Sequence, residues 1–145
     1  MKKIFLILSF VIVAGLYTAS ADPGVDPRVR QSFQREFPTA RILKWEKNGD
    51  YLKATFVFNE NRTEAWFSNE GELQGTIRCL LYDQLPFAVM RGIESRFPSA
   101  GIIDILEITN SNGTSYRITA ESKKGKFLLI ATSGGEVIKA GKIKM

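Results

Sequence analysis

One stretch of this chain occurs twice. Residues 33 to 40 read Phe33-Gln-Arg-Glu-Phe37-Pro38-Thr39-Ala40, and residues 93 to 100 read Ile93-Glu-Ser-Arg-Phe97-Pro98-Ser99-Ala100. The copies stand 60 residues apart, and Val29 and Val89 add a matching apolar position four residues upstream. Val29/Phe33/Phe37 and Val89/Ile93/Phe97 therefore recur at i, i+4, i+8, one stripe along a short amphipathic helix. Proline disfavours helical geometry in the residue before it, so each helix should stop at its phenylalanine.

The correspondence continues at an offset of 64: Gly49 with Gly113, Leu52 with Tyr116, Ala54 with Ile118, and Gly71-Glu72-Leu73 with Gly135-Glu136-Val137. The change of offset places four extra residues in the second copy, between Ala100 and Gly113. Thr109-Asn-Ser-Asn-Gly113 reads as a longer turn where the first copy has Asn48-Gly49-Asp50. A unit of about sixty residues buries too little surface to be secure alone. The two units (about 26–79 and 85–143) thus read as one pseudo-symmetric domain with one core.

The first 21 residues read as an export signal. Lys2 and Lys3 precede an apolar run from Ile4 to Leu16, and Ala19-Ser20-Ala21 fits a small-x-small cleavage site before Asp22. A membrane span needs about 20 apolar residues, which this run does not supply. Residues 22–145 are then the exported domain, with no stable membrane span after cleavage. Periplasm is favoured over release to the medium, because no further export signal is visible.

Without Lys2 and Lys3 the chain holds 18 basic and 15 acidic residues, too even a balance to argue for nucleic acid. The basic excess lies near the C-terminus, at Lys123, Lys124, Lys126, Lys139, Lys142 and Lys144. Lysines alternating along a strand mark a solvated face or a protected sheet edge more often than a polyanion site. Cys79, the single cysteine, excludes an internal disulfide and reads as a small core residue in preference to a reactive thiol.

Within the first unit, Asp26 is placed to cap a helix that opens on Pro27. After Pro38 the period changes to 2. Leu43 and Trp45 share one face; Leu52, Ala54, Phe56 and Phe58 alternate with Tyr51, Lys53, Thr55 and Val57; Ala65 and Phe67 alternate with Glu64 and Trp66. Leu73, Gly75, Ile77 and Cys79 line one face of a fourth strand. The turns are Asn48-Gly49-Asp50, Asn59-Glu60-Asn61 and Asn69-Glu70-Gly71. The second unit repeats helix and strands, the helix from near Leu85-Pro86 and the strands near 102–108, 115–121, 126–132 and 136–142. The fold class is α+β: a tandem pseudo-repeat of one helix and four antiparallel strands. It should form one antiparallel sheet with both helices on one face, because strict alternation implies burial on one side only. Trp45, Phe33, Phe37, Phe56, Phe67 and Phe97 are assigned to the core.

Phe37-Pro38-x-Ala40 with Trp45, Tyr51-x-x-Ala54-x-Phe56, Phe67-x-x-x-Gly71, and Leu85-Pro86 before Phe97-Pro98 together resemble the exported PepSY-like proteins grouped with the beta-lactamase-inhibitor-protein fold. The resemblance covers most of residues 22–145. It implies a tandem α/β repeat forming one curved antiparallel sheet, and an exported, non-enzymatic protein. The inhibitor that gives the fold its name carries disulfides, which a single cysteine cannot reproduce, so its contacts are not transferred.

The chain has no histidine, which removes the commonest general base and metal ligand. Neither a Ser-His-Asp nor a Cys-His arrangement can be built, and a zinc site or phosphate loop is not indicated. No cofactor is expected. Strand parity puts Trp66, Tyr51 and Val57 opposite the core side, beside Lys53, Thr55, Arg117 and Thr119; a slip of one strand would instead bury Trp66. An open sheet face carrying Trp66 and Tyr51, rimmed by Lys53 and Arg117, suits recognition of another exported or envelope protein, such as an enzyme to be inhibited. A small-ligand or envelope-stress sensor with a pocket between helices and sheet is the alternative. An enzyme relying on carboxylates alone comes third.

Overall fold

Helix α1 (Pro27–Glu36) starts where the sequence supplies a cap: the backbone N–H of Arg28 donates to Asp26 Oδ1 at 2.8 Å, with Pro27 in the first turn. These features belong to a computed structural model that describes residues 24–143. The expected signal segment, residues 1–21, lies outside the described residues. α1 ends at Phe37, whose N–H donates to the Phe33 carbonyl at 2.8 Å, and Ala40 closes on Phe37 at 3.1 Å. Helix α2 (Phe87–Arg96) ends in the same way, Phe97 on Ile93 at 2.7 Å and Ala100 on Phe97 at 3.1 Å. It begins later than expected, at Phe87, behind a 3-10 turn at Tyr82–Gln84 whose entry is tied by Leu81 N–H to Gln84 Oε1 at 2.8 Å.

Eight strands form one antiparallel sheet in chain order: β1 (Arg41–Asn48), β2 (Tyr51–Phe58), β3 (Asn61–Ser68), β4 (Leu73–Cys79), β5 (Gly101–Asn110), β6 (Gly113–Ser122), β7 (Gly125–Thr132) and β8 (Val137–Lys142). Consecutive strands within each half are joined by tight turns. The β2–β3 turn holds Asn59 and Glu60 at positive φ (48° and 66°). The β3–β4 and β7–β8 turns place Gly71 and Gly135 at φ 92° and 89°. A Cβ on either glycine would approach the start of a helix, at the carbonyl oxygens of Arg28 and Ala88 respectively.

The four extra residues of the second copy do not lengthen a turn. They lengthen strands: β5 and β6 have ten residues each against eight in β1 and β2. The turn between β5 and β6 is only Ser111-Asn112, because Thr109 pairs with Thr114 and Asn110 with Gly113. The extra length serves β4, whose Gly75 and Thr76 pair with Asn110 and Thr109.

Bulges alter two alternation readings. One falls between Ile42 and Lys44, so Leu43 leaves Trp45's face and is 45% exposed; its counterpart in β5 falls at Ile103, 47% exposed. Another lies at Gln74, because Phe67 pairs with Leu73 while Trp66 pairs with Gly75. A bulge shifts side-chain parity by one. Leu73 therefore shares Phe67's face, whereas Gly75, Ile77 and Cys79 share Trp66's. Cys79 is consequently no core residue: it is half-buried, outside both core clusters, and burial pushes its thiol pKa up.

The buried side chains form two clusters where one core was expected. Val29 and Phe33 of α1 pack with Trp45, Leu52, Ala54, Phe56, Ala65 and Phe67. Leu85 and, from α2, Val89 and Ile93 pack with Ile105, Tyr116, Ile118, Phe127, Leu129 and Val137. Between them the register row Ala54–Ala65–Thr76–Thr109–Thr114 turns polar at β4. The next row there pairs Arg78 with Glu107, Nη2 to Oε1 at 2.8 Å, and Tyr116 OH donates to Glu107 Oε2 at 3.4 Å. A seam of threonines and an ion pair cannot continue an apolar core, so the core divides there. Phe37 and Phe97 lie at the rims, only partly buried. Phe37 packs on Phe56 (ring centroids 4.7 Å apart) and Phe97 on Phe127 (5.9 Å).

Candidate binding face

β3 alternates strictly: Thr63, Ala65 and Phe67 are buried in turn, so Glu64 and Trp66 project from the other side of the sheet. Trp66 is half-buried and not part of either core cluster. Along its register row stand Glu46, Lys53, Trp66, Gly75 and Asn110. Tyr51, two residues before Lys53, is on the same face and 47% exposed.

Gly75, directly opposite Trp66, leaves the row without a side chain at that point. A cavity of about 340 Å³ opens there, its walls formed by Tyr51, Trp66, Ile77 and Ile108, with Gln74 and Asn110 at the end. The glycine is held by its neighbour as well as by the space, since a Cβ would come within 2.9 Å of the Thr109 carbonyl oxygen.

Lys53 is not a free cation. Its Nζ lies 2.9 Å from Glu46 Oε2 and 4.0 Å from Glu64 Oε2, and Lys44 Nζ reaches Glu46 Oε1 at 2.8 Å. Hydrogen bonds from Lys44 and then Lys53 hold the Glu46 carboxyl below its ordinary range, and the bond to Glu46 raises the Lys53 ammonium. Beneath this group Thr55 is 1% exposed, and its hydroxyl has no hydrogen-bond partner among the described residues.

The structure thus brings Tyr51, Lys53 and Trp66 together and leaves Arg117 apart. Arg117 is exposed on the same side, but its row runs through Leu106 and Cys79, four residues along β4 from Gly75. Gly75, Ile77 and Ile108 were missed by the sequence reading. The bulge at Gln74 that aligns them leaves no mark in residue type, so the sequence carries no signal for it.

Such a site can hold an apolar or aromatic group. Among the described residues no set of three or more His, Cys, Asp or Glu could hold a metal ion, and no helix is long and apolar enough to cross a membrane.

The architecture recurs in solved structures. A BLIP-like protein from Bacteroides fragilis aligns with a TM-score of 0.69 at 22% identity, covering 82% of this chain and 89% of that one. The fold is BLIP-like. A proposed periplasmic protein from Bacteroides eggerthii shares it (TM-score 0.69, 21% identity, 81% and 88% covered). So does a DUF2874 family protein from Bacteroides ovatus (0.66, 20%, 81% and 86%). No family model matches the sequence, and no curated protein does. At these identities the BLIP-like likeness is one of architecture: an open antiparallel sheet with two helices.

Proposed function

We propose that this is an exported, non-catalytic binding module, in which the face bearing Tyr51 and Trp66 receives an apolar side chain of another exported or envelope protein. The cavity over Gly75 carries the reading. Its roughly 340 Å³ lies in the size range of small-molecule pockets and accommodates one large side chain, and aromatic residues around a notch that a partner covers are frequent anchors of protein interfaces. The paired charges of Glu46, Lys53 and Lys44 form a polar rim beside it. Arg117 is assigned a peripheral contact.

The same reading takes residues 22–145 as one PepSY-like domain of two repeats, 26–79 and 85–143, with both helices on one face and a signal peptide removed before Asp22. It is supported by the matched helix ends at Phe37 and Phe97 and by bulges at Leu43 and Ile103. The register row that passes from α1's cluster through Thr76 and Thr109 to the side of β6 bearing Tyr116 supports it too. The periplasmic location is supported by the description of the B. eggerthii neighbour. Enzyme inhibition is the specific form suggested by the BLIP-like neighbour.

The test is a pull-down from periplasmic extract with wild type beside a Tyr51→Ala/Trp66→Ala variant of unchanged thermal midpoint. A partner captured by wild type and lost by the variant is expected; one retained equally by both would remove the sheet-face reading. The second reading, a small-ligand or envelope-stress sensor, draws on the same cavity volume, though the cavity sits on Trp66's side and not between helices and sheet. A small molecule co-purifying in native mass spectrometry, displaced by Trp66→Ala, would favour it.

A further inference from the structure

Lysines that the sequence spreads from 123 to 142 meet at one corner of the sheet. Ser122 and Gly125 pair with each other, so Lys123 and Lys124 are the two residues of the β6–β7 turn. Lys126 pairs with Glu121, and Lys142 pairs with Phe127, while the N–H of Ile143 donates to the Lys126 carbonyl at 3.0 Å. Lys139 leans toward the same end, its Nζ 4.5 Å from the centroid of the Phe127 ring. All five are exposed, and none makes an ion pair among the described residues.

The charge is concentrated there to an unusual degree. Residues 24–143 carry 17 basic and 14 acidic side chains, a net of +3. The corner's five lysines against Glu121 give +4, so the remaining described surface sums to −1. Including Asp104, which pairs with Thr119 two residues further in along β6, still leaves the whole excess at this corner. Two exposed isoleucines accompany it: Ile143, 39% exposed after Lys142, and Ile103, 47% exposed at the β5 bulge. β5 begins here, with Gly101 paired to Glu121, whereas the cavity over Gly75 lies at the opposite end of β5, at Asn110. The two surfaces can therefore be occupied at once.

We infer that this corner docks on an anionic lipid surface, the ammonium groups meeting headgroup phosphates while Ile103 and Ile143 enter the interfacial layer. Clustered lysines beside exposed aliphatic residues are the combination that an anionic membrane attracts, and a surface charge alone would need no isoleucines. Nothing in this depends on the open-face reading. The module would be held at a membrane by one end while the other end faces its partner.

The experiment is co-sedimentation of the protein purified from exporting cells with vesicles of phosphatidylcholine alone and of phosphatidylcholine with phosphatidylglycerol. Binding to the anionic vesicles only is expected, and it should fade as salt approaches 1 M, where the screening length is about 3 Å. Lys123→Gln/Lys124→Gln/Lys126→Gln should lower the partition coefficient about 100-fold, at about fivefold per lysine. Lys139→Gln/Lys142→Gln, on a different strand, should lower it about 25-fold by the same measure. Thermal midpoints and circular dichroism verify that both variants keep the fold. Equal binding to neutral vesicles, or unchanged binding by both variants, would overturn the inference. Retention on soluble polyphosphate without any vesicle binding would overturn it as well.

Discussion

Gly92 sits in the middle of α2, where glycine is a poor choice: replacing it with alanine in an exposed helix interior gains about 1 kcal/mol. Packing reverses the sign here. A Cβ at Gly92 would collide with the Gly135 carbonyl oxygen and approach Val137 Cγ2 to 2.8 Å. The obstacle is backbone in a turn whose geometry is already fixed by Gly135 at φ 89° and by its N–H bond to the Thr132 carbonyl at 3.0 Å, so it cannot rotate aside. Overpacking of this kind costs about 3 kcal/mol at the upper end of its usual range, leaving a net loss of about 2 kcal/mol for Gly92→Ala. The equivalent site in α1, Ser32, holds a side chain and is 5% exposed, so the first helix stands slightly further from its own turn. Urea unfolding of Gly92→Ala, with Ser32→Ala as the comparison, measures this directly. A midpoint for Gly92→Ala at or above wild type would show that α2 does not rest on the β7–β8 turn, and the close approach would be wrong.

Thr55→Val should stabilise the protein by about 1 kcal/mol, since it removes a buried hydroxyl without a partner at little change in shape; a destabilised variant in the same urea assay would mean that the hydroxyl is satisfied. Glu60→Gly should add about 0.5–1 kcal/mol by relieving a left-handed non-glycine residue in the β2–β3 turn, a shift readable as a higher thermal midpoint. Phe56→Ala should cost about 3–5 kcal/mol as a fully buried aromatic. Phe37→Ala should cost clearly less, about 2 kcal/mol, because its ring lies at the rim; equal losses would place Phe37 in the core after all. Hydrogen bonds from Arg28 to Asp26, and from Lys44 and Lys53 to Glu46, lower both folded carboxyl pKa values. Their contribution is therefore present above the unfolded values and lost as pH falls through the folded ones. Stability should decline below the ordinary carboxylate range, and Asp26→Asn/Glu46→Gln should flatten that decline.

The elements were legible because local rules and tertiary demands agree in them. Phe-Pro pairs stop both helices, Asp26 caps the first, and period-2 alternation marks strands whose ends differ from expectation by a residue or two. What failed was parity across bulges. Neither Leu43 nor Gln74 announces a bulge by residue type, yet the latter turns Gly75, Ile77 and Cys79 from one side of the sheet to the other. That single shift explains why Cys79 was assigned to the core and why the walls of the cavity were not foreseen. Parity gave the correct side of the sheet for Trp66 and Tyr51 because β2 and β3 pair without interruption. Arg117 was grouped with them on parity alone, which fixes a side but not a position along the strand. The division of the core was hidden for a different reason. Arg78 and Glu107 look like ordinary surface charges until β4 and β5 are paired, and no turn in the sequence announces that pairing.

The pairing of β4 with β5 also sets an order of assembly. Every other strand pair is a hairpin closed by a few residues, whereas Gly75 meets Asn110 and Cys79 meets Leu106 only after the intervening chain, α2 included, has been brought round. Such a contact bears a loop-closure entropy that hairpins escape, and it gains nothing until both of its strands exist. Each half can therefore zip locally, and the central ladder closes last. The lengthened β5–β6 hairpin then has a kinetic role: Thr109 and Asn110 extend that final ladder to Gly75, so the late step captures more backbone hydrogen bonds when it occurs. Shortening the hairpin by these residues would leave two halves that form at their usual rate and join more slowly.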